Sequence, residues 1–113
     1  MANPPAVSVV LCTVPQERAE ALVDVLLEQR LIACANLIGP MRSRYRWQGR
    51  IESAEEVLLV MKAPTQRFEE LRDAIVREHG YSVPEILALP VESGLDAYLA
   101  WVHAECRTGG PGA

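Results

Sequence analysis

The chain has 113 residues and a formal net charge of −4, which suffices for one domain of ordinary size and not for two. Half of the residues are hydrophobic and 23% are charged, a globular composition that excludes an intrinsically disordered chain. Because 15 acidic residues outnumber 11 basic ones, no nucleic-acid partner is expected.

The sequence also predicts where the protein works. No apolar run approaches the roughly 20 residues of a bilayer span, and the first residues lack the basic start of a secretory signal. The three cysteines are odd in number and spread along the chain, which fits reduced thiols better than a disulfide framework. We therefore expect a cytoplasmic protein with no membrane partner.

Two patterns predict the first strand and the first helix. The β-branched run over 7–13 predicts a strand, and Thr13 followed by Pro15 predicts the cap and first turn of a helix. Apolar residues then recur every three or four positions between Ala19 and Leu27, with the charged residues mostly off that stripe. We expect this helix to pack one face on a sheet.

A long hairpin is predicted next. Residues 33–47 form a strand pattern interrupted at Pro40, because proline cannot donate to a sheet and belongs at an edge or a bulge. A tight turn at Gly49 returns the chain antiparallel to this strand. If the turn has two residues, Arg42 lies opposite Glu55 unless a bulge shifts the register.

The remaining pattern predicts a helix, a strand and a terminal helix. The second helix starts at Pro64 and ends at Gly80, a strand follows over 86–91, and Ser93 caps the last helix. Residues 107–113 contain too few apolar side chains to order themselves and are predicted to be a disordered tail.

The order β-α-β-β-α-β with an added C-terminal helix predicts an α+β fold of the ferredoxin-like, split βαβ type, in a single domain over 1–106. In the strand over 56–62, apolar side chains point to both faces of the sheet, where a half-exposed strand would alternate apolar and polar residues. This pattern suggests that both faces of the sheet are buried. The strand over 33–47 extends roughly 46 Å, beyond the radius of gyration of about 13 Å for such a domain. Both features predict a closed homo-oligomer.

Six motifs occur in order along the chain. They are Cys12-Thr13, 31–38, the turn 45–49, the strand 56–62, 79–86 and 98–101. Together they resemble the CutA divalent-ion tolerance family from about residue 9 to residue 102. The resemblance implies a ferredoxin-like subunit, a tight homotrimer related in architecture to PII signal-transduction proteins, and a role in tolerance to copper and other divalent cations.

The resemblance also implies a metal site. Some family members bind copper through a cysteine at the position of Cys12 and a His-His pair, which here reads Glu78-His79. Thiolate, imidazole and carboxylate are all ligands of copper or zinc. Two structural alternatives stay open: Cys12 as a buried thiol, and His79 as a solvated cation at the end of its helix. We expect weak or conditional binding of copper or another divalent metal.

A second group of residues, by the same resemblance, lines a cleft between neighbouring subunits. The group comprises Arg44, Tyr45, Trp47, Glu56, Lys62, Tyr81 and Glu85. Alternating arginines can hold a carboxylate or phosphate, so an anion or nucleotide sensor, or a trimeric scaffold, is the alternative function. The simpler interpretation is a charged strand edge that pairs with Glu52 or Glu55, and aromatic side chains that anchor an interface.

Catalytic motifs are missing from the sequence. It contains no phosphate-binding glycine-rich loop, no Gly-x-Ser-x-Gly segment and no His-Glu-x-x-His helix. We therefore expect a protein that is not an enzyme and uses no organic cofactor.

Overall fold

The computed structural model describes residues 6–107. Its strands and helices are β1 (Val7–Pro15), α1 (Gln16–Glu28), β2 (Cys34–Trp47), β3 (Arg50–Pro64), α2 (Phe68–His79), β4 (Ile86–Pro90) and α3 (Asp96–Glu105). Within these residues no helix is long and apolar enough to cross a membrane. The predicted tail lies outside the described residues from residue 108 onward.

The four strands form one antiparallel sheet in the order β2-β3-β1-β4. This is the predicted ferredoxin-like order, and it confirms the α+β fold. Helices α1 and α2 cover one face, where Leu26 and Ile75 pack on the buried β1 and β3 side chains Val10 and Leu59. The main core is therefore built from alternate positions of the two central strands.

The predicted starts of α1 and α3 are wrong. Thr13 does not cap α1, because β1 continues through Val14, which is fully buried, and pairs with β3 as far as Pro15. Burial of one more strand residue outweighs the local capping signal, and α1 begins without a side-chain cap. Ser93 does not cap α3, which begins at Asp96 after Leu95.

Helix α2 ends where the sequence predicts and begins later. A 3-10 turn over Thr65–Arg67 precedes Phe68, so the helix does not start at Pro64. Gly80 follows the last helical residue with φ of 98°, a left-handed conformation that ends helices and that glycine adopts without strain.

The β2–β3 hairpin contains a bulge at Gly39 and Pro40. Beyond the bulge Arg42 lies opposite Glu55, as the two-residue turn predicts. Before the bulge Ile38 lies opposite Leu58, so β2 carries one residue more than β3 across this interval.

The sheet surface opposite α1 and α2 is called the far face. Helix α3 covers one end of it, where Leu99 and Val102 pack against Val7. The far face is also apolar and partly exposed along the edge strand β4, where Leu87 and Leu89 keep 53% and 50% of their surface accessible. The long hairpin leaves the other end, and the described chain measures 52 Å along its longest axis.

Candidate functional site

A cavity of about 950 Å³ opens beside the far face, where the hairpin leaves the sheet. Its walls come from β1, from β2 beyond the bulge, from β3, and from the loop between α2 and β4. The lining residues are Leu11, Thr13, Met41, Ser43, Arg44, Tyr45, Trp47, Glu56, Leu58, Gly80, Tyr81, Ser82, Val83, Pro84 and Glu85. Its volume is in the range of about 300 to 1,000 Å³ that is typical of small-molecule sites.

Six of the seven residues predicted to form the cleft line this one cavity within a single chain. Lys62 does not: it lies farther along β3, opposite Cys34, and its Nζ donates a hydrogen bond to Asn36 Oδ1. The sequence analysis missed the apolar walls, such as Leu11 and Leu58. They could have been predicted from the alternation of side chains along β1 and β3, because both residues occupy strand positions that point away from the core.

Glu56 is the most deeply buried charged side chain of the cavity, with 4% of its surface accessible. Within residues 6–107, no lysine, arginine or histidine nitrogen lies within 4.0 Å of its carboxylate. The Tyr81 side chain is next to it: burial, then the charge of Glu56 and hydrogen bonding to it, raise the pKa of Tyr81. Among the described residues, the cavity therefore contains a buried carboxylate with no cationic side chain in contact.

The arginines of β2 do not form the expected ion pairs. Arg42 is opposite Glu55, but no salt bridge joins β2 to β3 in the part of the chain that the structure describes. Arg44 contributes to the cavity wall while its Nη1 donates a hydrogen bond of 2.9 Å to Ser53 Oγ. The Arg44 guanidinium is thus partly engaged by a hydrogen bond to β3.

His79 is fully buried, so the interpretation as a solvated cation at the helix end is wrong. Its Nε2 lies 2.6 Å from the carbonyl oxygen of Thr13, and its Nδ1 lies 3.4 Å from the backbone nitrogen of Tyr81. A carbonyl can only accept, so Nε2 donates, and Nδ1 accepts from the Tyr81 N–H. Both ring nitrogens are occupied in tying the end of α2 to β1.

Cys12 is also fully buried and its thiol points to the Thr13 carbonyl oxygen at 3.7 Å. Burial, with smaller effects from the charges of Glu85 and Glu56, raises the pKa of Cys12 to about 12. The side chain is therefore a protonated thiol near neutral pH. Cys12 and His79 nevertheless contact the same carbonyl oxygen, which brings two residues 67 positions apart in sequence close together.

Glu78, the third predicted metal ligand, is exposed on α2, whereas its neighbour His79 is buried. Among the described residues no three histidine, cysteine, aspartate or glutamate side chains are grouped closely enough to hold a metal ion. Cys12 and His79 thus have the chemistry of metal ligands, but their hydrogen bonds direct both of them to the backbone.

Comparisons with known proteins agree with this architecture. The sequence model of the CutA1 divalent ion tolerance protein family matches residues 8–105. The chain belongs to the CutA1 family. The divalent-cation tolerance protein CutA of Thermus thermophilus is 43% identical over 96 residues, which cover 84% of this chain and 93% of that protein.

Solved CutA1 structures have the same fold. The crystal structure of CutA1 from Oryza sativa has a TM-score of 0.89 at 30% identity, covering 96% of this chain and 100% of the other. The PII-like protein CutA from Nostoc sp. PCC 7120, in apo form, has a TM-score of 0.84 at 34% identity, covering 88% and 97%. The CutA1 chain described here therefore has a ferredoxin-like, PII-like fold.

Proposed function

We propose that this chain acts in divalent-cation tolerance, as a cytoplasmic homotrimer that binds copper or another divalent metal weakly and catalyses no reaction. The CutA1 family model, which covers most of the chain, carries this proposal, because the relatives are named for divalent-cation tolerance. Three free cysteines favour a reducing compartment.

The far face supports the homotrimer. Its half-exposed leucines and the projecting hairpin leave apolar surface that a single chain does not cover. Contiguous apolar patches of this kind mark protein contacts, and closed cyclic symmetry lets identical copies cover the same patch on one another. Sedimentation is expected to give three times the mass of one chain at micromolar concentration.

For the metal, the proposed ligands are Cys12, His79 and Glu78. Their geometry favours weak binding for a physical reason: the Cys12 thiol must lose its proton and the His79 imidazole must give up a hydrogen bond before either can coordinate. Metal binding at this position therefore competes with the packing of α2 on β1.

Metal affinity is expected to depend on pH through Cys12. Because its thiol has a pKa of about 12, each metal ion that it binds releases a proton, and affinity should rise about tenfold per pH unit near neutrality. Calorimetric titration with Zn(II) and Cu(II) at several pH values measures this slope. Cys12→Ser should abolish it and Cys34→Ser should leave it intact. Equal affinities for the wild type, Cys12→Ser and His79→Ala would exclude these ligands.

A second function, binding of a small organic ligand, is favoured by the cavity itself. A volume of about 950 Å³, aromatic and apolar walls and a few charged groups are the properties of a ligand site. This proposal needs no metal, and the two functions are separable, because Cys12 and His79 do not line the cavity. A thermal-shift screen of charged and neutral small molecules tests it: the proposal fails if no compound raises the melting temperature.

A further inference from the structure

The two faces of the β2–β3 hairpin beyond the bulge differ in chemistry. Residues directly opposite each other in an antiparallel pair share a face, and side chains alternate along each strand. Met41 lies opposite Glu56 and so belongs to the far face. Tyr45 and Trp47 follow on that face at alternate positions of β2. The other face of the hairpin carries three arginines in a row, called the arginine strip: Arg42, Arg44 and Arg46.

The charge of the arginine strip is exposed and little compensated. All three of its side chains are exposed. Arg44 borders the cavity, but its Nη1 donates to Ser53 Oγ, on the residue directly opposite it, so its guanidinium lies on the strip face. Among the described residues none of the three arginines forms a salt bridge, although Arg42 lies opposite Glu55. The strip therefore sets three positive charges against the one carboxylate of Glu55.

The arginine strip points outward in the homotrimer proposed above. The far face, which is the proposed subunit contact, carries the aromatic side chains of the hairpin, and the strip lies on the opposite surface. Burying three guanidinium groups against a single carboxylate would be costly, because each charge would lose its hydration without gaining a partner. The strip is therefore accessible in the assembled protein as well as in one chain.

The spacing of the strip favours an extended anion over a compact one. At about 3.3 Å per residue, roughly 13 Å of strand separate Arg42 from Arg46. A guanidinium binds phosphate oxygens through two parallel hydrogen bonds, which makes arginine a preferred phosphate ligand. An isolated phosphate would engage one arginine at a time, whereas a chain of phosphates laid along β2 can engage all three.

From this arrangement we propose that the arginine strip binds a linear polyphosphate. A single-stranded nucleic acid also has a row of phosphates, but its bases stack on aromatic rings, and the rings of Tyr45 and Trp47 lie on the far face. The inference is independent of the metal and cavity proposals, because neither Cys12 nor His79 belongs to the hairpin and an extended ligand on the strip does not enter the cavity.

A series of phosphates of increasing length tests the proposal. Calorimetry with the full chain measures the affinities of orthophosphate, tripolyphosphate and long-chain polyphosphate, and of oligothymidylate as the competing class of polyanion. EDTA is present throughout, so that a metal ion on the protein cannot bridge to phosphate. Affinity is expected to rise with the length of the phosphate chain and to fall as the salt concentration increases.

Variants of the strip should change polyphosphate affinity in both directions. Arg42→Gln and Arg46→Gln should each weaken binding about threefold, and together about tenfold, as expected for exposed charge pairs. Each lost arginine should also reduce the slope of log affinity against log salt concentration by about one, because fewer counterions are released. Glu55→Gln removes the carboxylate of the strip and should strengthen binding about threefold.

Arg77→Gln is the matched control for these variants. It makes the same change in net charge at an exposed residue of α2, in the helical layer, where Arg77 forms no salt bridge among the described residues. Its polyphosphate affinity should equal that of the wild type. Sedimentation velocity should give the wild-type mass for every variant, because the strip lies outside the proposed subunit contact.

The outcomes decide the proposal. No binding of polyphosphate at low salt, tighter binding of oligothymidylate, or an equal loss in Arg77→Gln and the Arg42→Gln, Arg46→Gln double variant overturns it. A double variant that loses the wild-type mass places the strip in the subunit contact and overturns it as well. Binding that grows with chain length, weakens in the double variant, strengthens in Glu55→Gln and is unchanged in Arg77→Gln supports it.

Discussion

Leu87→Glu is expected to leave the chain monomeric at micromolar concentration. Leu87 lies on the edge strand β4, on the far face next to Leu11 of β1, and 53% of its surface is accessible in one chain. In a homotrimer the substitution places a carboxylate in each copy of the apolar contact. Burying an unpaired charge costs on the order of 3 kcal/mol per site. Cyclic symmetry repeats that cost at every interface.

Sedimentation velocity gives the mass directly. Val76→Glu is the matched control, because Val76 has almost the same exposure, 51%, but lies on α2 in the helical layer. This variant should keep the mass of the wild type. A monomeric wild type, or a Leu87→Glu variant that keeps the wild-type mass, would contradict the assignment of the far face as the subunit contact.

His79→Ala is expected to destabilise the protein by about 2 to 4 kcal/mol. The substitution removes a fully buried ring and its hydrogen bond of 2.6 Å to the Thr13 carbonyl oxygen, which keeps only the longer contact with the Cys12 thiol. It also removes the contact with the Tyr81 ring, whose centroid lies 4.7 Å away. Both losses loosen the end of α2 from β1, beside the wall of the cavity.

Urea unfolding at fixed protein concentration measures this effect, because unfolding of an oligomer depends on concentration. His103→Ala is the control: His103 is the other histidine of the chain and is partly exposed, where its Nε2 donates to the Ala6 carbonyl oxygen at 2.8 Å. A His79→Phe variant, which restores the ring without its nitrogens, should recover part of the loss. If His79→Ala unfolds at the urea concentration of the wild type, the tie between α2 and β1 is not a source of stability.

The element order and most of the hairpin register were predictable from sequence because they depend on local signals. The turn at Gly49 fixes the pairing beyond the bulge, and Pro40 marks the bulge itself because proline cannot donate to the ladder. The left-handed Gly80 likewise ends α2 as predicted. Each of these features is decided by one or two residues.

The start of α1 differs from the prediction because tertiary burial opposes the local signal. A hydroxyl at Thr13 resembles a cap, yet Val14 gains more from the core than the helix gains from an earlier start. His79 could have been recognised as buried, since it lies four residues after Ile75 and thus on the same face of α2. Because histidine is polar, the sequence analysis placed it in solvent instead.

The sequence could indicate which residues line the candidate site, but not how their charges are paired. The family resemblance named six residues of the cavity, but the missing counter-ion of Glu56 depends on where the arginine side chains end, and this is decided by contacts such as that of Arg44 with Ser53. Lys62 lies six positions along β3 from Glu56, and its place in a cleft between subunits stays a prediction. A strand of seven residues spans roughly 20 Å, which is longer than one small-molecule site.

The extra residue at the bulge decides which side chains accompany Glu56. Because side chains alternate along a strand, continuing the pairing that precedes the bulge would place Pro40 opposite Glu56. Arg42 and Arg46 would then lie on the face of Glu56, and the tyrosine and tryptophan would lie on the other. The charge that surrounds this carboxylate is thus encoded by the parity of a strand, and a shift of the pairing by one residue reverses it where many point substitutions would not.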